Sequence, residues 1–218
     1  MWIAEVFESI QGEGRYLAVP SGFIRTSGCN LRCWFCDTPY TSWKPEGIER
    51  SVDSLLSEAE TWSCCHAVVT GGEPLLTPEI IPLTQGLRDR GFTITIETAG
   101  TVSRSDVLAD LMSISPKRHN STPRGTPWQQ RHEQRRHRPD IIRHLTSAYD
   151  YQLKFVIDTA EDIQDVDDYV AEFPQLDPAK IYLMPQGTEQ SVLTEKRGWL
   201  NDAASRRGWN VTPRLHIE

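Results

Sequence analysis

The chain has 218 residues, of which 38% are hydrophobic and 24% charged, and its formal net charge is −7. This composition is typical of a globular protein with one substantial core, and the acidic balance argues against a general polyanion binder. No segment approaches the roughly 20 apolar residues of a membrane span, and the first residues lack the basic and apolar regions of a signal peptide. We therefore expect a cytoplasmic protein with no membrane partner and no direct nucleic-acid partner.

Short apolar runs alternate with helical patterns along the chain, which predicts βα units and a parallel sheet. The predicted strands span residues 22–26, 67–70, 92–97, 111–115, 151–157 and 181–184. The predicted helices span residues 52–62, 78–90, 105–110, 141–147, 161–173 and 189–207, with Ser51 and Thr77 as N-caps. Because six units are too few for a closed eight-stranded barrel, we expect an α/β fold: a single-domain, partial TIM-like barrel over residues 1–218, with about six parallel strands.

Residues 118–140 show no hydrophobic period and contain three prolines. This pattern predicts a mobile surface insertion within the domain. The wider segment from Lys117 to His144 carries eight lysines and arginines against two acids. A solvated loop is the favoured interpretation, and the alternatives are an anion-binding lid or a contact for an acidic reductant protein.

Three of the five cysteines, Cys29, Cys33 and Cys36, lie within eight residues. A structural zinc site or an ordinary iron–sulfur cluster takes four protein ligands, so three thiolates are one too few for a closed site. A cubane held by only three cysteines keeps one iron open to another ligand. The alternative is a zinc-stabilised binding module in which His66 or Cys65 supplies the fourth ligand.

Several motifs directly follow predicted strands, where active-site loops of such folds converge. They are Gly-Gly-Glu-Pro at 71–74, Thr-Ala-Gly at 98–100, Pro-Lys at 116–117 and Pro-Gln-Gly at 185–187. The two glycines of the first motif let the backbone approach a ligand closely, although a plain strand-to-helix turn has the same composition. The cysteine loop likewise follows the strand at 22–26.

Polar residues near the N-terminus have the chemistry to bind a small heterocyclic acid. Gln11 offers a donor and an acceptor, and Glu13 offers acceptors, so the pair could read the edge of a heterocycle. Arg25 could grip a carboxylate with two parallel hydrogen bonds, or form a surface ion pair. The hydroxyl of Thr38 is a hard oxygen ligand suited to Mg²⁺, although a turn residue before Pro39 is the simpler interpretation.

The cysteine spacing, with Phe35 beside the third cysteine, resembles the radical S-adenosylmethionine superfamily. Ile-Gln-Gly-Glu-Gly at 10–14, Arg25, Cys-Asp-Thr at 36–38, Gly-Gly-Glu-Pro, Glu-Thr-Ala-Gly at 97–100 and Ser-Pro-Lys at 115–117 occur in the expected order. Together these motifs resemble the 7-carboxy-7-deazaguanine synthase family, over about residues 6–184. A glycyl-radical enzyme activase is the alternative within the superfamily, and the Gln-Gly-Glu-Gly motif speaks against it.

The resemblance implies a radical S-adenosylmethionine lyase of queuosine and 7-deazapurine biosynthesis. It would convert 6-carboxy-5,6,7,8-tetrahydropterin to 7-carboxy-7-deazaguanine and ammonia, by hydrogen abstraction at C6 and a Mg²⁺-assisted ring contraction. The implied cofactors are a [4Fe–4S] cluster, S-adenosylmethionine and Mg²⁺. The implied partners are an electron-donor protein such as flavodoxin and a second copy of the chain in a homodimer.

The resemblance also implies roles for individual residues, none of them as an acid or base. Cys29, Cys33 and Cys36 would hold the cluster, and Thr38 would reach Mg²⁺. The residues implied for S-adenosylmethionine are Phe35, Cys36, Asp37, Gly72, Glu73, Ser115, Pro116, Lys117, Met184, Pro185, Gln186 and Gly187. Those implied for the pterin are Ile10, Gln11, Gly12, Glu13, Arg25 and Thr70, with Glu97 and Thr98 nearby.

Two features depart from the family pattern. Relatives often have Asn at the position of Ala99, so a side-chain amide contact is missing here. Residues 214–218 have the pattern of a strand cut short, where relatives continue, and we assign no role to Glu218. The remaining cysteines, at positions 64 and 65, are predicted to be ordinary small residues between a helix and a strand.

Overall fold

A computed structural model describes residues 1–215 and 217, and its centre is one nine-stranded sheet. The strand order is β3-β1-β2-β4-β5-β6-β7-β8-β9; all neighbours from β2 onward are parallel, whereas β1 runs antiparallel to β2 and β3. The strands are β1 (Trp2–Ile10), β2 (Pro20–Thr26), β3 (Ile48–Glu49), β4 (His66–Gly71), β5 (Thr93–Thr98), β6 (Leu111–Ile114), β7 (Tyr151–Ile157), β8 (Ile181–Pro185) and β9 (Asn210–Val211). The first and last strands of this order do not pair with each other, so the sheet is open.

Seven α-helices connect and flank the strands in the described part of the chain. They are α1 (Pro39–Ser42), α2 (Val52–Ala59), α3 (Ile80–Asp89), α4 (Gln129–Arg136), α5 (Pro139–Ala148), α6 (Glu161–Ala171) and α7 (Gln190–Ser205). Short 3-10 helices occur at Gly14–Tyr16, Pro74–Leu76, His119–Ser121 and Pro178–Lys180. Among the described residues, no helix is both long and apolar enough to span a membrane.

The order of the parallel strands explains why one face of the sheet is available for a site. Each parallel strand lies beside the next one along the chain, and right-handed crossovers that advance in one direction place their helices on one face. The apolar strand residues that face these helices form one buried cluster with them, for example Ile96 and Phe155. Their sequence neighbours Glu97 and Lys154 point to the other face, because strand side chains alternate.

The partial barrel and its six predicted parallel strands are confirmed, with bounds that differ by at most two residues. The predicted strand at 151–157 matches β7 at both ends. The sequence did not predict β1, β3 or β9. Strands β3 and β9 have only two residues each, and β1 has charged and apolar residues on both faces.

Most predicted helices are confirmed, but one is wrong and two are missed. Residues 105–110 are not helical: 105 and 106 form a turn, and Asp106 has a φ of +67°, which a right-handed helix excludes. Ser51 caps α2 by accepting a hydrogen bond from the backbone N–H of Ser54, as predicted. The predicted cap at Thr77 is wrong, because α3 begins later and Glu79 occupies its N-cap position.

The region 118–140 contains a helix that the aperiodic sequence did not predict, α4. The mobility of residues 118–140 and the organisation of the chain as a single domain stay predictions. The strand proposed for residues 214–218 is wrong for Arg214, Leu215 and Ile217, which lie outside strands, while residues 216 and 218 are outside the described part of the chain.

Candidate functional site

A cavity of about 360 Å³ opens at the carboxyl ends of the parallel strands. Its wall contains most of the residues that the sequence singled out. The predicted residues that line it are Ile10, Gln11, Gly12, Glu13, Arg25, Cys29, Cys33, Phe35, Cys36, Asp37, Thr38, Thr70, Gly72, Glu97, Thr98, Ser115, Lys117, Met184 and Gln186. The predicted residues absent from its wall are Glu73, Pro116, Pro185 and Gly187, each of them buried next to a residue that lines it.

All three clustered cysteines line this cavity, on the loop that follows β2. Burial raises the pKa of the Cys29 thiol to about 11 and that of Cys33 to about 12, because a buried thiolate loses its hydration. The Cys36 sulfur lies 3.2 Å from the Ser42 hydroxyl. In the metal-free chain Cys29 and Cys33 therefore stay protonated at neutral pH, and metal binding has to displace those protons.

The three thiols have the chemistry that iron–sulfur clusters require of their protein ligands. Among residues 1–215 and 217, no three His, Cys, Asp or Glu side chains converge as a site for one ion. Thiolates that hold a cubane bind different irons, so they do not need to converge on one point. Leu31, Ala99 and Phe35 pack around the cysteines and give them an apolar setting.

The zinc alternative finds no support in the positions of its two proposed ligands. The ring nitrogens of His66 lie 2.8 Å from the hydroxyls of Ser21 and Thr95, so both are already engaged. Cys65 is exposed, and neither residue lines the cavity that holds the cysteine loop.

The loop at 71–74 docks directly against the cysteine loop. The backbone N–H of Gly72 donates to the Thr26 carbonyl at 3.1 Å, and that of Glu73 donates to the Gly28 carbonyl at 2.9 Å. A Cβ atom on Gly72 would overlap the carbonyl oxygen of Gly28. Glycine at this position therefore allows the two loops to approach each other closely, whereas the close approach of a ligand stays a prediction.

The Glu73 carboxylate lies behind this glycine loop and not in the cavity wall. It accepts hydrogen bonds from the Thr98 hydroxyl at 2.8 and 2.9 Å and from the backbone N–H groups of Ala99 and Leu75 at 2.9 and 3.2 Å. Burial raises the pKa of Glu73 despite these bonds. The carboxyl group thus lies close to the glycine loop, without direct access to a ligand.

A buried ion network forms the polar floor of the cavity. The Lys154 ammonium donates to Glu13 at 2.8 Å and to Glu97 at 3.1 Å. Thr70 donates to Glu97 at 3.1 Å, and the Gln11 amide nitrogen lies 3.3 Å from the same carboxylate. Burial by itself would lower the pKa of Lys154, but the two carboxylates outweigh it and raise that pKa.

Arg25 lines the cavity but is partly engaged by a neighbour. Its Nε donates to Glu5 at 2.8 Å, and Tyr40 donates to the same carboxylate at 3.0 Å. Its guanidinium lies 5.7 Å from the centre of the Phe7 ring. Arg25 therefore forms the ion pair that one interpretation of the sequence gave. It also lines the cavity, as the other interpretation, carboxylate binding, requires.

Thr38 and the 115–117 segment also reach the cavity. Thr38 occupies the N-cap position of α1 without a side-chain capping bond, and its hydroxyl lies 3.1 Å from that of Thr41. The Lys117 ammonium donates to the Ser115 hydroxyl at 2.6 Å. Both segments therefore contribute polar atoms to the cavity wall.

Sequence reasoning missed two charged residues of the cavity wall, Lys154 and Arg214. A signal existed for Lys154, since it is a charged residue inside an otherwise apolar parallel strand, and such a residue needs a buried partner. Its partner Glu13 is 141 residues away, so no local pattern could identify the pair. Arg214 lies on the segment after β9, where the sequence predicted a short strand.

Comparisons with known proteins agree with this geometry. A family model described as the Radical SAM superfamily matches residues 23–120. The 7-carboxy-7-deazaguanine synthase of Rhodopirellula baltica is 43% identical over 99% of this chain and 84% of its own length. The enzyme of that name from Halobacterium salinarum is 40% identical over 99% of this chain and 88% of its own length.

The chain belongs to the 7-carboxy-7-deazaguanine synthase family. A crystal structure of QueE from Escherichia coli superposes with a TM-score of 0.72 at 25% identity, over 99% of this chain and 94% of that one. Streptococcus suis SuiB shares the fold alone, with a TM-score of 0.58 at 12% identity, over 88% of this chain and 47% of that one. As a radical SAM protein of the 7-carboxy-7-deazaguanine synthase family, the chain uses a [4Fe–4S] cluster and S-adenosylmethionine.

Proposed function

We propose that this chain is a lyase that converts 6-carboxy-5,6,7,8-tetrahydropterin to 7-carboxy-7-deazaguanine and ammonia. The product would enter the biosynthesis of queuosine or another 7-deazapurine. The observation that carries the proposal is a single cavity whose wall contains both the three cysteines and the network of Lys154 with Glu13 and Glu97. Its volume of about 360 Å³ lies within the usual range of small-molecule sites.

The cysteine side of the cavity would hold the cofactors. Cys29, Cys33 and Cys36 are the proposed cluster ligands. When bound there, the cluster and S-adenosylmethionine would supply the 5′-deoxyadenosyl radical that takes a hydrogen atom from C6 of the substrate. The residues proposed to surround S-adenosylmethionine are Phe35, Asp37, Gly72, Ser115, Lys117, Met184 and Gln186, with Glu73, Pro116, Pro185 and Gly187 behind them.

The opposite side would bind and orient the pterin. Gln11, Glu13 and Glu97 present donors and acceptors that suit its guanidine-like edge, and Lys154 holds both carboxylates in place. Arg25 is the proposed partner of the substrate carboxylate. Its Nε is bonded to Glu5, so the two Nη nitrogens would donate to the substrate. Held in this way, the substrate has one fixed orientation against the cofactor side, and water is displaced from the reacting face.

A Mg²⁺ ion at Thr38 is the proposed aid to ring contraction. A hydroxyl oxygen at the cavity wall can serve as the single protein ligand of an ion that otherwise binds waters and substrate oxygens. We expect Thr38→Ala to keep its iron content but to lose the Mg²⁺ dependence of turnover. Thr61→Ala, at a surface threonine outside the cavity wall, is the control, and unchanged Mg²⁺ dependence in Thr38→Ala would remove this role.

An acidic electron-transfer protein such as flavodoxin is the proposed reductant. Arg135 on α4 donates to the Asn30 carbonyl of the cysteine loop at 3.3 Å, and Trp34 on that loop is 52% exposed. The exposed face of α4 therefore brings basic side chains close to the cysteines. Arg131→Glu combined with Arg135→Glu should slow turnover with flavodoxin but not with dithionite, whereas Arg206→Glu on a remote surface should change neither.

A homodimer and a cytoplasmic location are further proposals from the family. The exposed side chains of Trp2 and Ile48, 58% and 63% accessible, lie at the antiparallel edge on opposite faces of the sheet, and each offers apolar area for a partner. Light scattering of the purified protein at micromolar concentration should give twice the chain mass of 24.8 kDa. The mass of one chain would contradict the dimer.

One experiment tests the reaction itself. The anaerobically reconstituted protein is incubated with 6-carboxytetrahydropterin, S-adenosylmethionine, Mg²⁺ and dithionite. The products are then separated and identified by mass spectrometry. We expect 7-carboxy-7-deazaguanine in many turnovers per chain without any partner protein. Cleavage of S-adenosylmethionine with no deazaguanine acid would favour another substrate, such as the glycyl-radical enzyme of the activase alternative.

A further inference from the structure

Hydrogen bonds from the two neighbours of Cys33 tie the cysteine loop to a distant part of the chain. The backbone N–H of Arg32 donates to Nδ1 of His132 at 3.2 Å. The backbone N–H of Trp34 donates to the carbonyl of Ser121, also at 3.2 Å. Both acceptors belong to the segment 118–136, so this segment holds the backbone on either side of the middle cysteine.

His132 joins these two contacts into one buried chain of hydrogen bonds. Because the backbone N–H of Arg32 can only donate, Nδ1 accepts, and the proton of the neutral ring lies on Nε2. Nε2 donates to the Ser121 hydroxyl at 2.9 Å, and that hydroxyl donates to the Arg118 carbonyl at 2.7 Å. His132 is 1% exposed and Ser121 is fully buried, so water cannot replace these bonds.

The beginning of the segment is fastened to the rest of the fold. The Asn120 amide donates to the Val156 carbonyl of β7 at 2.9 Å. The Arg118 guanidinium donates to both carboxylate oxygens of Asp165 on α6, at 3.1 and 2.8 Å. At the same place the Trp34 indole N–H donates to the Asn120 carbonyl at 2.6 Å. The cysteine loop is therefore held against β7 and α6 through this segment.

We propose that His132 is a positioning residue for Cys33, and that the segment 118–136 thereby retains the cluster. Loss of a residue that holds a metal ligand in place typically costs about 10- to 100-fold in metal affinity. Without these bonds the loop would have more conformations, and cluster binding would have to restrict them. The role does not depend on the pterin, since it concerns only the [4Fe–4S] cluster that the chain uses as a member of its family.

Two amide substitutions separate the two hydrogen bonds of His132. The amide of asparagine lies near the position of Nδ1 and can accept from the Arg32 N–H, whereas that of glutamine lies near Nε2 and can bond only to Ser121. The assay is the rate at which the reconstituted, oxygen-free protein releases iron to an excess of chelator. His132→Gln should release iron about 10- to 100-fold faster than wild type, and His132→Asn less than about threefold faster.

His66→Gln is the matched control. His66 is 4% exposed, and its two ring nitrogens each lie 2.8 Å from a hydroxyl, at a place outside the cavity wall. Both glutamine variants should unfold at a lower denaturant concentration than wild type, but His66→Gln should release iron at the wild-type rate. In the metal-free chain, hydrogen exchange at the Arg32 amide should be faster in His132→Gln than in His132→Asn.

Each result supports or refutes the role of His132. Equal iron release from the glutamine and asparagine variants would refute the bond between Arg32 and His132 as the cause. Release from His66→Gln as fast as from His132→Gln would assign the effect to overall stability and overturn the proposal.

Trp34→Phe tests the same segment from the surface, should neither variant of His132 fold. It removes only the indole N–H that donates to Asn120, at a side chain that is half exposed. Iron release should become at least about threefold faster, because one hydrogen bond between the loop and the segment is lost. An unchanged rate would contradict the retention of the cluster by residues 118–136.

Discussion

Replacement of Lys154 by methionine tests the polar floor of the cavity. The ammonium is 2.8 Å from Glu13 and 3.1 Å from Glu97, and its side chain is 4% exposed. Methionine has a similar length and fits the same space, so the substitution removes the charge with little change in packing. It leaves two half-buried carboxylates without the buried cation that separates them.

The expected loss of stability is large for a single substitution. Removal of one partner from a buried ion pair costs about 3–5 kcal/mol, since the remaining charge is uncompensated. A typical domain has a free energy of unfolding of about 5–15 kcal/mol, so Lys154→Met should be folded but clearly destabilised. The pterin should also bind weakly, because Glu13 and Glu97 repel each other out of position.

Denaturant unfolding of the reconstituted protein measures this loss. The midpoint should fall while the slope stays constant, which indicates a change in stability and not in the compactness of the denatured state. The control is Lys180→Met at a more exposed ion pair with Asp150, which should cost no more than about 1 kcal/mol. A loss of under about 1 kcal/mol in Lys154→Met as well would refute the buried network.

Two further substitutions test groups whose pKa the fold displaces. Burial raises the pKa of Glu73, so the stability that this carboxyl group contributes is present at low pH and lost as pH rises; because an amide does not ionise, the melting temperature of Glu73→Gln should fall less with rising pH than that of wild type, although the amide cannot accept from both backbone N–H groups and lowers the melting temperature at acidic pH. An unchanged pH dependence of the melting temperature would contradict this. Burial lowers the pKa of His132 to about 4, below the usual 6.5 of an unfolded chain, so wild-type stability should fall by about 3 kcal/mol at most between pH 6.5 and 4. His132→Gln should lose this pH dependence in thermal melts, and a parallel pH profile would contradict the assignment.

The parallel core of the fold was predictable because its strands are short apolar runs between turn residues. The strand at 151–157 shows this best, and it was found despite the lysine inside it. The helix α4 was not predictable, since its residues Gln129–Arg136 are almost all polar and give no apolar stripe. It is held by long-range contacts, such as the bond from the Arg32 N–H to His132 at 3.2 Å.

The candidate site was predictable where motifs follow strands and not where contacts join distant segments. The cysteine loop and Gly72 line one cavity as the sequence predicted, because parallel strands end at the same edge of the sheet. Glu73 was expected to face a ligand, but its carboxylate is turned behind the loop by three protein donors. The ion pairs of Lys154 and Arg214 join residues that are far apart in the sequence, so no local pattern identifies their partners.

Iron analysis of protein reconstituted without oxygen tests the central claim that three thiols hold a cluster with one open iron. Wild-type protein and Cys64→Ala, in which a cysteine outside the cavity is changed, should each bind about four irons per chain. Cys33→Ala should bind almost none. One zinc per chain without iron in the wild-type protein, or full iron content in Cys33→Ala, would contradict the account.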